Sequence, residues 1–257
     1  MIIYFSGTGN TRVAAEKLGQ LLGDADVRPF TASELRQPAD AFIDCKPGDR
    51  VVWAFPTYSW GIPPVVAEVM KQCRFGAGAQ SATHVMLTTC GDDMAYTDRQ
   101  WRKIMHRRGL STAGAYAVVM PNIYTLMKGF DVDSPALAAE KLAAAPDTLG
   151  QIVASIKSGG ADMPVRLKFS GVKSHIVYPW FVRFAMSPKP FHSNEGCISC
   201  SLCARSCPMQ NITMHEGRPQ WGSQCALCLR CYHICPRHAV AYGKATDGKG
   251  QSIVEKL

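Results

Sequence analysis

“MIIYFSGTGNTR”, residues 1–12, joins a short β-type run to a polar glycine loop, and a helical pattern follows directly. Apolar residues recur at helical spacing over residues 12–22, and Gly23 is a typical stop signal. In this order of elements, backbone N–H groups and hydroxyls stand at the positive end of a helix dipole, where they can bind an anion. The loop therefore predicts a phosphate site, and the alternative is a glycine turn without a ligand.

The loop also limits the kind of phosphate that it could bind. It lacks the lysine of a P-loop and departs from the G-x-G-x-x-G spacing of dinucleotide sites, so a lone monophosphate fits better. The candidate residues are Ser6, Gly7, Thr8, Gly9, Asn10 and Thr11.

The alternation of strand and helix continues to about residue 157. Further β-type runs are DVRPF, RVVWAF, HVMLTT and AYAVVM, and helical patterns cover about residues 63–73, 94–108 and 135–157. Five strands interleaved with helices imply an α/β fold with a doubly wound parallel sheet, whose ligand site lies at the loops that follow the strands. Those loops are SGTGNT, PTYSWG and TTCGDD.

The second and third loops carry side chains with two interpretations each. Tyr58 and Trp60 are large flat side chains suited to stack on a ring system, and the alternative is a hydrophobic plug over the end of the sheet. Asp93 is interpreted as the cap of the helix that follows it.

Eight of the eleven cysteines lie in two copies of one motif. CISCSLCARSCP and CALCLRCYHICP repeat C-x2-C-x2-C-x3-C-P at a period of 28 residues. This run binds 4Fe-4S clusters in bacterial ferredoxins, because three irons of a compact cube are met by three thiolates from one turn of chain. Zinc, the alternative, usually takes two Cys-x-x-Cys pairs from separate segments.

In the ferredoxin pattern, the fourth cysteine of each copy serves the other cluster. The two predicted ligand sets are therefore Cys197, Cys200, Cys203 and Cys235 for one cluster, and Cys225, Cys228, Cys231 and Cys207 for the second.

Composition and charge limit the class of protein. The 257 residues are 47% hydrophobic and 19% charged, which is typical of a folded chain with one large and one smaller domain. The formal net charge of +8 would fall to about +2 with two clusters and a cofactor phosphate bound, so we expect no nucleic-acid partner. Neither a signal peptide nor a membrane-length apolar stretch is recognisable, so we expect a cytoplasmic protein without a membrane span.

The chain resembles the EFR family ferrodoxins, which join an FMN-binding flavodoxin-like domain to a two-cluster ferredoxin domain. FSGTGNT resembles the flavodoxin phosphate loop, and PTYSWG and TTCGDD stand where the two flavin loops would be. The resemblance implies FMN, two [4Fe-4S] clusters, a five-stranded flavodoxin-like sheet of order 2-1-3-4-5 and a small C-terminal α+β ferredoxin domain. The flavin contacts that it implies are Pro56, Thr57, Tyr58, Ser59, Trp60 and Gly61, and Thr89, Cys90, Gly91 and Asp92. The thiol of Cys90 departs from the pattern of ordinary flavodoxins.

These patterns divide the chain into three parts. We expect the flavodoxin-like FMN-binding domain at residues 1–157 and the two-cluster domain at residues 191–257. Residues 158–190 are too apolar for a free linker and are predicted to pack on the first domain, with binding to a membrane surface as the alternative.

The expected function follows from the two kinds of cofactor. Clusters pass single electrons, whereas a flavin handles one or two, so we expect an electron-transfer protein with a redox protein as donor or acceptor. The family resemblance implies that it serves anaerobic metabolism. No catalytic residue is assigned, and no second glycine fingerprint offers a site for NAD or NADP. The alternatives are an FMN-dependent reductase of a quinone, nitro compound, ferric complex or organic acid, and a subunit that wires a larger complex.

Overall fold

The first half of the chain forms a parallel sheet. The computed structural model describes residues 1–23 and 26–257. The strands of this half are β1 (Ile2–Tyr4), β2 (Val27–Pro29), β3 (Phe42–Ile43), β4 (Arg50–Pro56), β5 (Arg74–Phe75), β6 (Thr83–Cys90) and β7 (Thr112–Val119). Five of them form one parallel sheet in the order β2-β1-β4-β6-β7, and β3 pairs with β5 separately. This order confirms the predicted doubly wound, flavodoxin-like sheet.

Helices cover both faces of that sheet. They are α1 (Asn10–Leu22), α2 (Ala32–Arg36), α3 (Pro64–Gln72), α4 (Thr97–Arg107) and α5 (Pro135–Lys157), with a 3-10 turn at Pro38–Asp40. α1 and α5 pack on the face that carries Ile2 and Val52, whereas α3 and α4 pack on the face that carries Ile3 and Trp53. Consecutive strand residues point to opposite faces, so both members of each pair are buried.

A helical segment connects the two halves of the chain. It consists of α6 (Ser170–Val172), a π-helical stretch (Lys173–Val177), α7 (Tyr178–Trp180) and a second π-helical stretch (Phe181–Ala185). Among the residues that the structure describes, no helix combines the length and the apolar character that crossing a bilayer would require.

The cysteine-rich half is small and built from short elements. They are β8 (Phe191–Ser193), α8 (Leu202–Arg205), β9 (Ile212–His215), β10 (Arg218–Trp221), α9 (Arg230–His233) and β11 (Val240–Tyr242). β9 pairs with β10 and β8 pairs with β11, both antiparallel, which gives the predicted small α+β unit. Its core contains Leu126 from the loop after β7, and Met209 and Ala226 pack into the core of the first half. The two halves therefore share apolar contacts.

One polar pair lies within the apolar core beneath the sheet. Trp53 Nε1 donates to His84 Nδ1 at 3.1 Å, and His84 Nε2 lies 3.0 Å from the carbonyl oxygen of Ala79. Because Nδ1 accepts, the neutral ring carries its proton on Nε2 and donates it to Ala79. Burial lowers the pKa of His84 from its ordinary value of 6.5.

Candidate functional site

The predicted phosphate loop lies between β1 and α1. Gly9 is the N-cap of α1 with a left-handed φ of 105°, and no acidic residue stands in the first turn of the helix. Within the described parts of the chain, the backbone N–H groups of Thr8, Asn10 and Thr11 have no protein acceptor. These donors lie at the positive end of the α1 dipole, and this arrangement binds anions.

The side chains of the loop are fixed by neighbouring loops. Thr11 Oγ1 lies 2.7 Å from Thr89 Oγ1, so the first and third predicted loops meet. Asn10 Nδ2 donates to the carbonyl oxygen of Pro121 at 2.8 Å, while its Oδ1 is buried without a partner. The unpartnered Asn10 Oδ1 is an acceptor, so it needs a donor and not an anion, whereas the free N–H groups are donors that an anion would satisfy. The loop residues fit a bound phosphate through these free N–H groups.

The cysteine-rich half covers the other side of the loop. A Cβ at Gly7 would lie 2.5 Å from the Cys228 carbonyl oxygen, and one at Gly9 would overlap the Val254 carbonyl oxygen. Arg230 Nη1 donates to the carbonyl oxygen of Gly7 at 2.8 Å, and the N–H of Val254 donates to that of Thr8 at 2.9 Å. Glycine at positions 7 and 9 thus allows the two halves to approach at the phosphate loop.

The loop after β4 is a tight turn at the edge of the sheet. Tyr58 and Gly61 exchange two backbone hydrogen bonds of 2.8 and 3.0 Å, which places Ser59 and Trp60 in the left-handed region at φ 44° and 66°. The N–H of Thr57 donates to the carbonyl oxygen of Thr89 at 2.7 Å, which joins this loop to the one after β6.

Tyr58 faces the cysteine-rich half. Burial raises the pKa of Tyr58 well above its ordinary value, and negative charge on Cys228 and then Cys225 would raise it further. The side chain is partly buried and packs against the core that Met209 and Ala226 join. Tyr58 therefore lies between the second predicted loop and the cysteines of the second motif.

The predicted flavin contacts in the loop after β6 lie in different environments. The Cys90 thiol is buried, its Sγ lies 4.0 Å from the Val118 carbonyl oxygen, and burial raises its pKa to about 12. Its side chain is part of the core, and its carbonyl oxygen accepts from the Met120 N–H at 2.8 Å. Asp92 is exposed and lies 3.7 Å from Lys141, while Gly91 packs against Asn122.

Asp93 differs from the sequence-based interpretation. α4 begins at Thr97, and the Asp93 carboxylate accepts from the Ala95 N–H at 2.8 Å in a local turn rather than capping the helix. The same carboxylate pairs with Lys173 at 2.6 Å and accepts from Trp60 Nε1 at 3.3 Å. We call the loops PTYSWG and TTCGDD the ring loops, because they would contact the flavin ring. Asp93 therefore links both ring loops to the connecting segment.

The connecting segment packs on both of these loops. Ser174 Oγ donates to the Trp60 carbonyl oxygen at 3.1 Å, and Tyr178 Oη donates to that of Ile62 at 2.6 Å. The Tyr178 ring occupies the space where a Cβ at Gly61 would stand. Sequence analysis missed Lys173, Ser174 and Tyr178, although the apolar character of residues 158–190 had indicated that this segment would pack on the first half.

The eight motif cysteines fall into two groups that exchange their fourth members. Cys203 lies among Cys235, Cys197 and Cys200, and Cys231 lies among Cys228, Cys225 and Cys207. Each group lines its own cavity together with apolar side chains. We name the group of Cys197, Cys200, Cys203 and Cys235 the outer set, because Cys200 is exposed. The group of Cys207, Cys225, Cys228 and Cys231 is the inner set, because Cys228 contacts the phosphate loop.

Backbone and indole N–H groups point at several of these sulfurs. Cys231 Sγ accepts from Trp221 Nε1 at 3.5 Å, Cys225 Sγ from the Leu227 N–H at 3.4 Å, and Cys235 Sγ from the Ala239 N–H at 3.2 Å. Such donors stabilise negative charge on sulfur and tune the potential of an iron-sulfur cluster. Burial raises the pKa of Cys228 to about 12, and iron ligation would supply the positive charge that displaces its proton.

Comparison with known families agrees with this geometry. Residues 196–240 match the model of the 4Fe-4S dicluster domain family. This segment is similar to iron-sulfur cluster-binding domains. A stretch of 66 residues is 33% identical to an uncharacterized protein, MJ0749, of Methanocaldococcus jannaschii, and covers 26% of this chain. The matched stretch spans only a quarter (25%) of that relative's length. The resemblance of the whole chain to EFR family ferrodoxins stays a prediction.

Several solved structures are similar to part of this chain. They include the Trp repressor binding protein of Bacillus subtilis, at 18% identity and a TM-score of 0.35, over 58% of this chain and 97% of that one. The flavodoxin of Streptococcus pneumonia TIGR4 follows at 14% identity and a TM-score of 0.31, over 59% and 97%. An azoreductase of Bacillus anthracis has 12% identity and a TM-score of 0.35, over 59% and 96%. At such scores these likenesses carry no functional assignment.

Proposed function

We propose that the chain is an electron-transfer flavo-iron-sulfur protein in which an outer [4Fe-4S] cluster, an inner [4Fe-4S] cluster and FMN stand in series. The contact of the inner set with the phosphate loop carries this proposal. Cys228 touches Gly7, and Arg230, two residues further on, bonds to the Gly7 carbonyl oxygen. The thiols that would hold the inner cluster are thus anchored to the loop that would hold the FMN phosphate.

The residues of the first half fit FMN in two respects. The free N–H groups of Thr8, Asn10 and Thr11 suit its phosphate, and the loops around Tyr58 and Gly91 suit the edges of its ring. When bound, FMN supplies a centre that takes up one or two electrons, whereas each cluster passes one. The chain itself positions these groups: Asp93 and Lys173 hold the ring loops together, and Arg230 and Val254 hold the phosphate loop against the inner set.

The series order assigns different roles to the two cysteine sets. Cys200 and its neighbour Ile198 are exposed, so the outer set lies where a redox protein can approach. In the inner set Cys231 is buried and Cys207, Cys225 and Cys228 are partly covered. Electrons would enter or leave through the outer set, and the inner set would connect it to FMN. The covering of the ring loops by Tyr178 favours this carrier role over an open flavin site for a small acceptor.

Electron flow tests the proposed order. Full-length protein purified without air should contain about eight iron, eight sulfide and one FMN. NADH or NADPH alone should leave the flavin and clusters oxidised in stopped-flow absorbance, whereas a ferredoxin-reducing system should reduce both. Cys200→Ser should slow that reduction while the inner cluster and FMN remain detectable. Cys45→Ala, which changes a buried thiol outside the motifs, should not.

Four outcomes would contradict the proposal. Stoichiometric zinc without labile sulfide would exclude the clusters. Rapid direct reduction by a nicotinamide, or equal rates for Cys200→Ser and the unchanged chain, would exclude the relay. Turnover of a small acceptor without a protein donor would instead support an FMN-dependent reductase. A point variant is preferable to removal of the cysteine-rich half, because Met209 and Ala226 belong to the core of the first half.

A further inference from the structure

The connecting segment presents an apolar stripe to solvent. Its exposed fractions are 76% for Phe169, 50% for Val172, 64% for Ile176, 51% for Trp180 and 65% for Phe184. From Val172 onward these residues recur every fourth position. The π-helical turns hold more residues than α-turns, so an i, i+4 series stays close to one line along the mixed helix. A contiguous exposed patch of this kind marks an interaction surface.

The opposite face of the same segment is fully engaged. Ser170, Ser174 and Phe181 are buried, and Tyr178 bonds to Ile62. The segment is therefore anchored to the flavodoxin-like half in a fixed orientation, and the stripe cannot turn inward without breaking these contacts. The exposure of the stripe is a property of the folded chain rather than of a loose linker.

Charge identifies the kind of surface that would cover the stripe. Residues 163–194 contain no aspartate or glutamate, but they contain Arg166, Lys168, Lys173, Arg183 and Lys189. Arg166 and Lys173 are used in ion pairs with Asp98 and Asp93. Lys168, Arg183 and Lys189 are exposed and form no ion pair within the described residues. Exposed cations beside an apolar stripe with a tryptophan are the features of helices that lie in the headgroup region of anionic bilayers.

We propose that this stripe seats the protein on the surface of an anionic membrane. Phe169, Val172, Ile176, Trp180 and Phe184 would enter the boundary between headgroups and acyl chains, while Lys168, Arg183 and Lys189 contact lipid phosphates. The helix lies in the plane of the surface and does not span the bilayer. Because the inner face of the segment holds Trp60 and Asp93, membrane binding would bring the ring loops next to the bilayer.

Vesicle sedimentation with the full-length holoprotein tests this proposal. Vesicles of phosphatidylglycerol and phosphatidylcholine should sediment the protein, and vesicles of phosphatidylcholine alone should bind it at least about tenfold more weakly. The double variant Trp180→Asp, Phe184→Asp should lose about tenfold or more in affinity for the anionic vesicles. Leu137→Asp changes a 40%-exposed leucine on another helix and should bind like the unchanged chain.

A charge variant keeps the test independent of folding. Lys168→Gln with Arg183→Gln and Lys189→Gln leaves the buried face untouched, and it should weaken binding and reduce its dependence on salt. Equal binding by all variants, or no binding to anionic vesicles, would overturn the proposal. A dimer that light scattering detects and that Trp180→Asp, Phe184→Asp abolishes would assign the stripe to a second copy of the chain and would also overturn it. None of these results depends on electron transfer, so the proposed function is tested separately.

Discussion

At the scale of single residues, His84 is the polar group on which the core beneath the sheet depends. It is fully buried, and its two ring nitrogens are both used, one by the indole of Trp53 and one by the carbonyl of Ala79. A second proton on Nδ1 would break the bond from Trp53 and leave a buried charge beside two aromatic rings, Trp53 and Phe75. The neutral state is therefore part of the native packing.

The folded chain should become less stable as the pH is lowered, because of this histidine. The folded-state pKa of His84 is lowered below 6.5, so between the two values the unfolded chain binds more protons than the folded chain. The stabilisation is complete above about pH 6.5 and is lost as pH falls through that window toward the folded pKa. Thermal melts of the holoprotein across this range should show a shallower pH dependence for His84→Gln than for the unchanged chain.

The exposed His192 provides the control for that experiment. His192→Gln should leave the pH dependence of the melting temperature as it is, because this exposed side chain takes no part in the buried core. Identical profiles for His84→Gln and the unchanged chain would contradict the assigned role of the buried ring.

Cys207 tests the exchange of ligands between the two motifs. It lies with Cys225, Cys228 and Cys231 at one cavity, although it is the last cysteine of the first motif. Cys207→Ser should therefore change the electron paramagnetic resonance signal of the cluster that the second motif holds and leave the other signal unchanged. Loss of only the cluster at Cys197, Cys200 and Cys203 would show that each motif holds its own cluster.

At the scale of secondary structure elements, one arginine joins α3 and α4, the two helices on the sheet face that carries Trp53. Arg108 follows α4, and its guanidinium donates to the carbonyl oxygens of Met70, at 3.2 Å, and Cys73, at 2.6 Å, at the end of α3, with a further bond to Lys71. The same group lies 5.0 Å from the centroid of the Phe75 ring. A cation at this position satisfies terminal carbonyls and the negative end of the α3 dipole.

Arg108→Ala should reduce the free energy of unfolding by about 1–3 kcal/mol, since hydrogen bonds to a charged donor are lost at a partly buried position. Arg107→Ala is the matched control, because Arg107 is exposed on α4 and has no partner in the described residues. Its effect should stay within about 0.5 kcal/mol in the same denaturant titration. Equal effects of the two substitutions would show that helix propensity, not the cap, governs this region.

At the scale of the whole molecule, the C-terminal tail (residues 249–257) joins three parts of the fold. Lys249 Nζ donates to the carbonyl oxygens of Thr125 and Met127, both at 2.6 Å, in the loop after β7. The Ser252 N–H donates to His233 at 3.2 Å in the cysteine-rich half. Further along, the Val254 N–H reaches Thr8, so the tail connects the phosphate loop with both other parts.

A chain that ends at Gly248 should lose the coupling between the two halves. Each lost backbone bond contributes about 0.5–1.5 kcal/mol, and Val254 also leaves the apolar cluster that it shares with α1, α5 and the sheet. Calorimetry of the holoprotein should then show two separate transitions, or one at a clearly lower temperature. A chain that ends at Glu255 keeps the bonds of Lys249, Ser252 and Val254 and loses only Lys256 and the partly buried Leu257, so it should melt much closer to the full chain. No difference between the two truncations would contradict the role of the tail.

The sequence by itself determined the features that depend on local pattern. The apolar run before Gly7 predicts a strand that is buried on both faces of a parallel sheet. The cysteine spacing follows from the way in which one turn of chain supplies three thiolates to a [4Fe-4S] cluster. The five strands of a parallel sheet and the small cysteine-rich unit follow from such patterns, whereas the strand order 2-1-3-4-5 was implied by the resemblance to a known family. Gly23 as the end of α1 and Pro63 before α3 were equally readable, because caps and breakers act within a few residues.

Only the tertiary structure decided which groups lie together across the chain. Nothing local distinguishes Cys228 as the cysteine that touches Gly7, or Asp93 as the partner of Lys173 rather than a helix cap. The same holds for the stripe from Phe169 to Phe184. A periodic apolar segment predicts a core helix, and only the structure shows that the opposite face of this segment is the buried one. These arrangements rest on contacts between residues far apart in sequence, and such contacts depend on the complementary shapes of packed surfaces, which no local spacing encodes.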